Sequence, residues 1–262
     1  MATLRRWSIL PLLVATVPAA ALGQETSQRA FQWEGRVGEG RWLTIVDLNG
    51  SISVEPAAGD RVEVLAEKRW RRGDPQRVRI ELRRTGPAEG DVLVCALWGE
   101  SATCDENGYR SERRERNSGD VSVAFMVKVP QGVNVRLFTV NGGISVRASG
   151  QILARTINGT VTAISSGGPV SATTVNGNVE AEFSRLGSDL RFETVNGSVE
   201  LRLPEAVDAE LRLRTVNGAI QSDFPLVLRG RIDPRRLDAT LGNGGPRLIA
   251  TTVNGSVRLK RR

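Results

Sequence analysis

The chain has 262 residues, with 36 lysines and arginines against 29 aspartates and glutamates, two cysteines and no histidine. Without imidazoles, Ser-His-Asp and Cys-His nucleophiles and every histidine-ligated metal site are excluded. The net charge of +7 is mild for this length. Acids interleave with the arginines almost throughout, whereas a nucleic-acid binder concentrates basic charge on one face.

Residues 1–23 read as a signal peptide. Arg5 and Arg6 supply a positive start, Ile9 to Val17 an apolar stretch interrupted by Pro11, and Pro18 to Gln24 the small residues that a signal peptidase requires. The apolar stretch is too short to cross a bilayer, which takes about 20 residues, and no later segment is apolar enough. The expectation is an exported chain without a transmembrane span, periplasmic, extracellular or held at the cell envelope. Cleavage after Gly23 leaves 34 basic against 29 acidic residues, a balance compatible with anionic envelope polymers.

Residues 24–40 are expected as a short linker and 41–135 as a β-rich part. RVEVLAEKRW (61–70), RVRIELRR (77–84), DVLVCALW (91–98) and DVSVAFMVKVP (120–130) all alternate apolar and polar residues. In an exported chain, Cys95 and Cys104 are most simply a disulfide closing a short loop, worth about 2–3 kcal/mol on the chain-entropy estimate. A metal site on these two cysteines lacks partners. The polar stretch 110–120 reads as a solvated loop, and Arg72-Gly73-Asp74 as a turn rather than an integrin-binding tripeptide. Trp70 reads as a half-buried strand residue, with sugar stacking as its alternative.

From 136 to 262 one unit recurs. Thr-Val-Asn-Gly or Thr-Ile-Asn-Gly begins at Thr139, Thr156, Thr174, Thr194, Thr215 and Thr252, and a looser copy, with Asp47 in the threonine place, begins at 47. Three residues after the asparagine stand Ile52, Ile144, Val161, Val179, Val199, Ile220 and Val257. Four before it stand Ile45, Leu137, Ala154, Ala172, Phe192, Leu213 and Ala250. Polar residues alternate with these on both arms, so each unit is strand, bend, strand with one apolar face. Asparagine and glycine both tolerate the positive φ that tight bends require.

Two all-β architectures can use such a unit: an antiparallel meander or sandwich with Asn-Gly hairpin tips, and a β-solenoid with Asn-Gly corners. A hairpin tip makes no demand for the preceding Thr-Val. Stacked coils set each threonine over a threonine and each asparagine over an asparagine, so that like side chains form ladders (Asn141, Asn158, Asn176, Asn196, Asn217, Asn254). The solenoid is therefore preferred, continuous with the part before it. Residues 30–130 are expected to cap one end, and Lys260-Arg261-Arg262 to blunt the other.

The residue before each asparagine (Val140, Ile157, Val175, Val195, Val216, Val253) breaks the alternation. Either a loop or the corner covers this stripe, or it is a docking strip for a partner. Glu180 and Glu200 occupy equivalent places in adjacent copies, roughly 5 Å apart if stacked, near the spacing of a retaining glycosidase pair. Any two acids on neighbouring coils would share that spacing, so no catalytic residue is assigned, nor any cofactor or metal site.

Tandem T-[VI]-N-G units behind a signal peptide resemble the bacterial putative-adhesin family, a domain-of-unknown-function family, over roughly residues 40–262. The resemblance implies a right-handed β-solenoid at the cell envelope and carries no catalytic residues. It points to a non-enzymatic binding or structural role, with an envelope polymer, polysaccharide or protein as partner and no nucleic acid. A carbohydrate-active β-helix enzyme and an envelope-stress or assembly factor remain as alternatives.

Overall fold

The computed structural model describes residues 25–111, 120–228 and 233–262. The expected signal peptide and most of the polar stretch 110–120 lie outside them.

Each repeat forms two short strands joined at its Asn-Gly bend. The Asn158 coil, for example, comprises Ile152–Arg155 and Val161–Ser165, and the Asn176 coil comprises Val170–Thr173 and Val179–Phe183. First arms pair with first arms and second arms with second arms, always parallel and in register: Ile152 with Val170, Val161 with Val179. A meander would pair its arms antiparallel, so the chain is a β-solenoid. The first sheet collects the second arms and the other sheet the first arms, ten and eleven strands respectively among the described residues. Inward side chains from both sheets, such as Leu137, Ile144, Val161, Phe183, Phe192 and Leu201, form one continuous core. The alanines at positions 154, 163, 172 and 181 leave the middle coils thin. Phe183 and Phe192 fill the next step edge to face, with centroids 5.9 Å apart.

The coil at Asn49, Trp42–Val46 with Ile52–Pro56, stacks directly on that at Asn141, Asn134–Phe138 with Ile144–Ala148. Beyond Asn49 lie Asp91–Trp98 in one sheet and Ser122–Val129 in the other, still parallel. Antiparallel strands then close this end: Val78–Thr85 on Asp91–Trp98, and Val62–Trp70 on Ser122–Val129. Residues 26–35, expected within a linker, instead form the strand Thr26–Gly35 along Val62–Trp70. Phe31 and Trp33 alternate inward on it and pack against the core, which gives this segment a reason to pair.

At the other end the order of coils departs from the order of the chain. The Asn196 coil, Leu190–Glu193 with Val199–Leu203, does not contact the Asn217 coil that follows it. Between them sits the last coil, Arg247–Thr251 with Val257–Arg261. Ala209–Arg214 is covered on its far side by antiparallel Arg236–Leu241, which carries Val227–Leu228 in turn. The basic C-terminus is thus interior to the first sheet rather than a blunt end. Lys260 and Arg262 pair with Glu200 and Glu182, each at 2.8 Å.

Cys95 and Cys104 form a disulfide. It ties the hairpin Ala102–Asp105 and Gly108–Ser111 to the outer face of the eleven-stranded sheet over a second small core of Val46, Leu93, Cys95, Leu97, Ala102 and Cys104.

Candidate functional site

The Thr-Val-Asn-Gly corner is built by three coil-to-coil contacts, one for each polar or glycine position. The asparagines are exposed and form the expected ladder: the Nδ2 of Asn158, Asn176 and Asn196 each donates to the Oδ1 of the preceding asparagine at 2.8 Å. The ladder then runs from Asn254 to Asn196 at 2.8 Å and from Asn217 to Asn254 at 2.9 Å, following the coil order.

The threonines behave differently from the expected ladder of like residues. All six are buried, and each hydroxyl donates to the glycine carbonyl of the neighbouring coil. Thr156 meets Gly142 and Thr174 meets Gly159, each at 2.9 Å, and Thr252 meets Gly197 at 2.7 Å. The hydroxyl thereby satisfies a carbonyl at a bend that lies away from water.

The glycines are explained by close approach rather than by dihedral angle. Asn141, Asn158, Asn176, Asn196, Asn217 and Asn254 all keep negative φ, and so do five of the seven corner glycines. A Cβ on Gly159, Gly177 or Gly197 would run into the carbonyl oxygen of the glycine one coil below. The coils touch at that atom.

One corner lacks the donor. Asp47 takes the threonine place in the first repeat, and its carboxyl is fully buried. Burial pushes the carboxyl well above the usual carboxylate range. The nearby amides of Leu48 and Asn49 and the Thr139 hydroxyl, which donates to the Gly50 carbonyl, partly offset this, but none makes a hydrogen bond to the carboxyl. Its neighbour Asn49 donates instead to the Val121 carbonyl at 2.8 Å, because the next layer there is not a repeat.

Between threonine and asparagine, the β-branched side chains stand at the surface. Ile157, Val175, Val195 and Val216 are 39, 37, 39 and 53% exposed, while Val140 and Val253 are half-buried. Backbone bonds from Asn176 to Ile157 and from Asn196 to Val175, both 2.7 Å, hold consecutive members in line. In coil order the stripe runs Val140, Ile157, Val175, Val195, Val253, Val216. At one coil per 4.8 Å it is about 24 Å long.

Several acids of the ten-stranded sheet, Glu182 and Glu200 among them, form ion pairs on its outer face. Glu180 and Glu200 are cross-strand neighbours. Glu200 meets Arg202 and Lys260, each at 2.8 Å, and the Lys260 ammonium, bonded to its side chain, holds its carboxyl below the usual range. A carboxyl held ionised in this way is poorly suited to act as a general acid. Among the described residues no three His, Cys, Asp or Glu side chains are placed to hold a metal ion, and no helix is long and apolar enough to cross a membrane. Trp70 is half-buried against the core. Arg72-Gly73-Asp74 is a turn: Asp120 accepts the Gly73 amide at 2.7 Å and the Arg72 amide at 3.1 Å, and Asp74 caps a short 3-10 turn. The backbone amides hold the Asp120 carboxyl below its usual range.

Sequence reading missed a concavity on the outer face of the eleven-stranded sheet beside the disulfide-bound hairpin. Its outward floor residues stand three and five places before successive asparagines, at positions that read individually as ordinary outward strand residues.

These features define a two-sheet parallel β-solenoid whose coils are joined at Thr-Val-Asn-Gly corners. The chain belongs to the Toastrack DUF4097 family, whose model matches residues 117–260. Its fold is similar to the crystal structure of a putative cell adhesion protein from Clostridium sporogenes ATCC 15579. The TM-score is 0.49 at 8% identity, over 91% of this chain and 100% of that one. A putative adhesin from Bacteroides fragilis NCTC 9343 gives a TM-score of 0.40 at 9% identity, over 91% of this chain and 97% of that one. No curated protein matches the sequence.

Proposed function

We propose that this chain is an exported, non-enzymatic binding protein of the bacterial cell envelope, adhesin-like in role, which docks a protein partner along the corner stripe. The observation that carries the reading is the exposure of Ile157, Val175, Val195 and Val216 in one line; among the described residues the other exposed large apolar side chains, Met126 and Val227, stand apart from it. An apolar strip about 24 Å long, backed by a rigid hydrogen-bonded ladder, loses little entropy when a partner covers it. The disulfide fits an oxidising compartment.

The test replaces Val195 and Val216 together by threonine, which keeps the branched shape and removes one methyl's worth of apolar surface from each. Cells making the parent chain should hold it in the envelope pellet through a high-salt wash, and the double variant should wash out with an unchanged melting temperature. Release of the parent by modest salt would replace the apolar contact with a charge contact. Unfolding of the variant would make the stripe part of the core, and a parent that never pellets would remove the envelope role.

A further inference from the structure

The groove on the eleven-stranded sheet ends two residues before the corner stripe, at Phe138, Arg155 and Thr173, and has a volume of about 340 Å³. Its wall is the disulfide-bound hairpin, and its floor is the outward row of three coils.

The wall is fixed in place. Besides the Cys95–Cys104 bond, Arg79 donates to the Ala102 carbonyl at 2.8 Å and Arg83 to the Cys104 carbonyl at 2.7 Å. Tyr109 packs edge-on against Trp98 with centroids 6.4 Å apart. The hairpin covers the outer face of Trp42–Val46 and ends against the next coil, where Gly108 lies over the Phe138 ring. A Cβ there would come within 3.1 Å of the ring.

The floor has a trough. Ser171 and Thr173 are short, whereas the next coil carries Arg191 and Glu193 in the same rows, paired with each other at 2.6 Å. On the other side stand two guanidiniums, each over an aromatic ring. Arg136 lies over Trp42, 4.5 Å from the ring centre, and Arg155 over Phe138 at 5.5 Å. Their rotamer freedom is thus partly lost before any ligand arrives. Glu106 approaches Arg136 at 3.6 Å, and Arg155 has no carboxylate partner among the described residues. The groove therefore holds two cations against one anion, with Ser171, Thr173 and Asn107 as neutral hydrogen-bonding groups.

We propose that this groove binds an acidic oligosaccharide, with a hexuronate carboxylate held by the Arg155 guanidinium and adjacent sugar hydroxyls held by Ser171, Thr173, Asn107 and Glu106. A planar guanidinium matches a carboxylate in two parallel hydrogen bonds. The aromatic faces that a nucleobase or a neutral sugar ring would stack on are covered by arginine. The row of small hydroxyls beyond Arg155 suits the ring hydroxyls of a chain continuing across the coils. Val195 and Val216 do not line this groove, so the fate of their double variant does not bear on it.

Calorimetric titration of the disulfide-bonded protein with a defined oligogalacturonate tests it, beside the methyl ester of the same oligomer and inorganic phosphate. The acid form should bind, and the ester should bind about tenfold or more weakly, since a hydrogen bond to a charged group is lost. Phosphate should not compete at equal concentration. Arg155→Ser and Ser171→Phe, the second filling the trough without changing charge, should each cost about tenfold or more, with melting temperature as the check on folding. Arg29→Ser, which removes a charge from the edge of the other sheet, should change nothing. The proposal is overturned if the acid form fails to bind or the ester binds equally well. It is equally overturned if Arg29→Ser weakens binding as much as Arg155→Ser. Phosphate binding with the same dependence on Arg155 would leave a bare anion site in place of a glycan site.

Discussion

Two corners of one stack, those at Thr174 and Asp47, share Asn-Gly and differ in the pair before it, Thr-Val in one and Asp-Leu in the other. At Thr174 a buried hydroxyl donates to the Gly159 carbonyl, and Asn176 bonds to Asn158. At Asp47 a buried carboxyl has no partner in hydrogen-bond geometry, and Asn49 turns to a backbone carbonyl outside the repeat. The difference shows that Thr-Val-Asn-Gly is a device for bonding one coil to the next rather than a turn signal. Its threonine is a donor for a carbonyl that only another Asn-Gly bend presents, and where the neighbouring layer is not a repeat the donor is dispensable.

The harshest way to break the comparison is to remove a middle layer. Truncation after Pro246 deletes the coil that stands between those of Asn196 and Asn217, so both lose their neighbour at once. Cooperative unfolding followed by circular dichroism should be abolished rather than shifted. A truncated chain that still melts in one sharp step would show that the two coils can close on each other.

Next in size is Gly177→Ala. The added Cβ meets the Gly159 carbonyl and forces two coils apart, at a cost of about 3 kcal/mol in denaturant titration. A cost under half a kilocalorie would mean that the corner has slack. The same change at Gly38, which has open space apart from one flexible arginine, should cost little.

Smaller effects follow from the polar rungs. Thr174→Val leaves the Gly159 carbonyl unpaired and should cost about 1–2 kcal/mol. Asn176→Ala, whose rung lies at the surface, should cost less. The reverse order would place the weight of the corner on the asparagines.

Asp47 sharpens the comparison by pH. Its folded-state pKa is raised by burial, so the unfolded chain ionises first as pH rises above the ordinary carboxylate range. Stability should therefore fall with rising pH from about 4 until the native carboxyl itself ionises. Asp47→Asn removes that dependence, so its advantage over the parent should grow between pH 4 and pH 7 in parallel denaturant curves. A gap that stays constant over that range would show that the native carboxyl ionises over the same range as the unfolded one, so that burial does not shift it.

Much of this could be read from the residues alone. Alternation around each asparagine identified the two arms and their inward face, since the strand period of two leaves no second way to bury Ile144, Val161 or Val199. The shared Thr-Val argued for stacked coils because a hairpin tip has no use for it, and two cysteines behind an expected signal peptide argued for their disulfide. Other features needed the fold. The strand at 26–35 pairs only because a partner strand lies 35 residues later at its edge. The groove assembles Arg136, Arg155 and Ser171 from three coils and Glu106 from a hairpin, and no local spacing joins them.

The sequence by itself determined the unit: its arms, its inward face and its corner, all of which arise within a few residues of one bend. The tertiary structure alone decided which units are neighbours, what the threonine meets and why the glycine is required. Every coil offers the next one nearly the same edge, so nothing local tells the coil at Asn196 to accept the one at Asn254 in preference to the one at Asn217. That choice belongs to the antiparallel strand Arg236–Leu241, which covers the far side of Ala209–Arg214 and leaves its near side open for the last coil to enter.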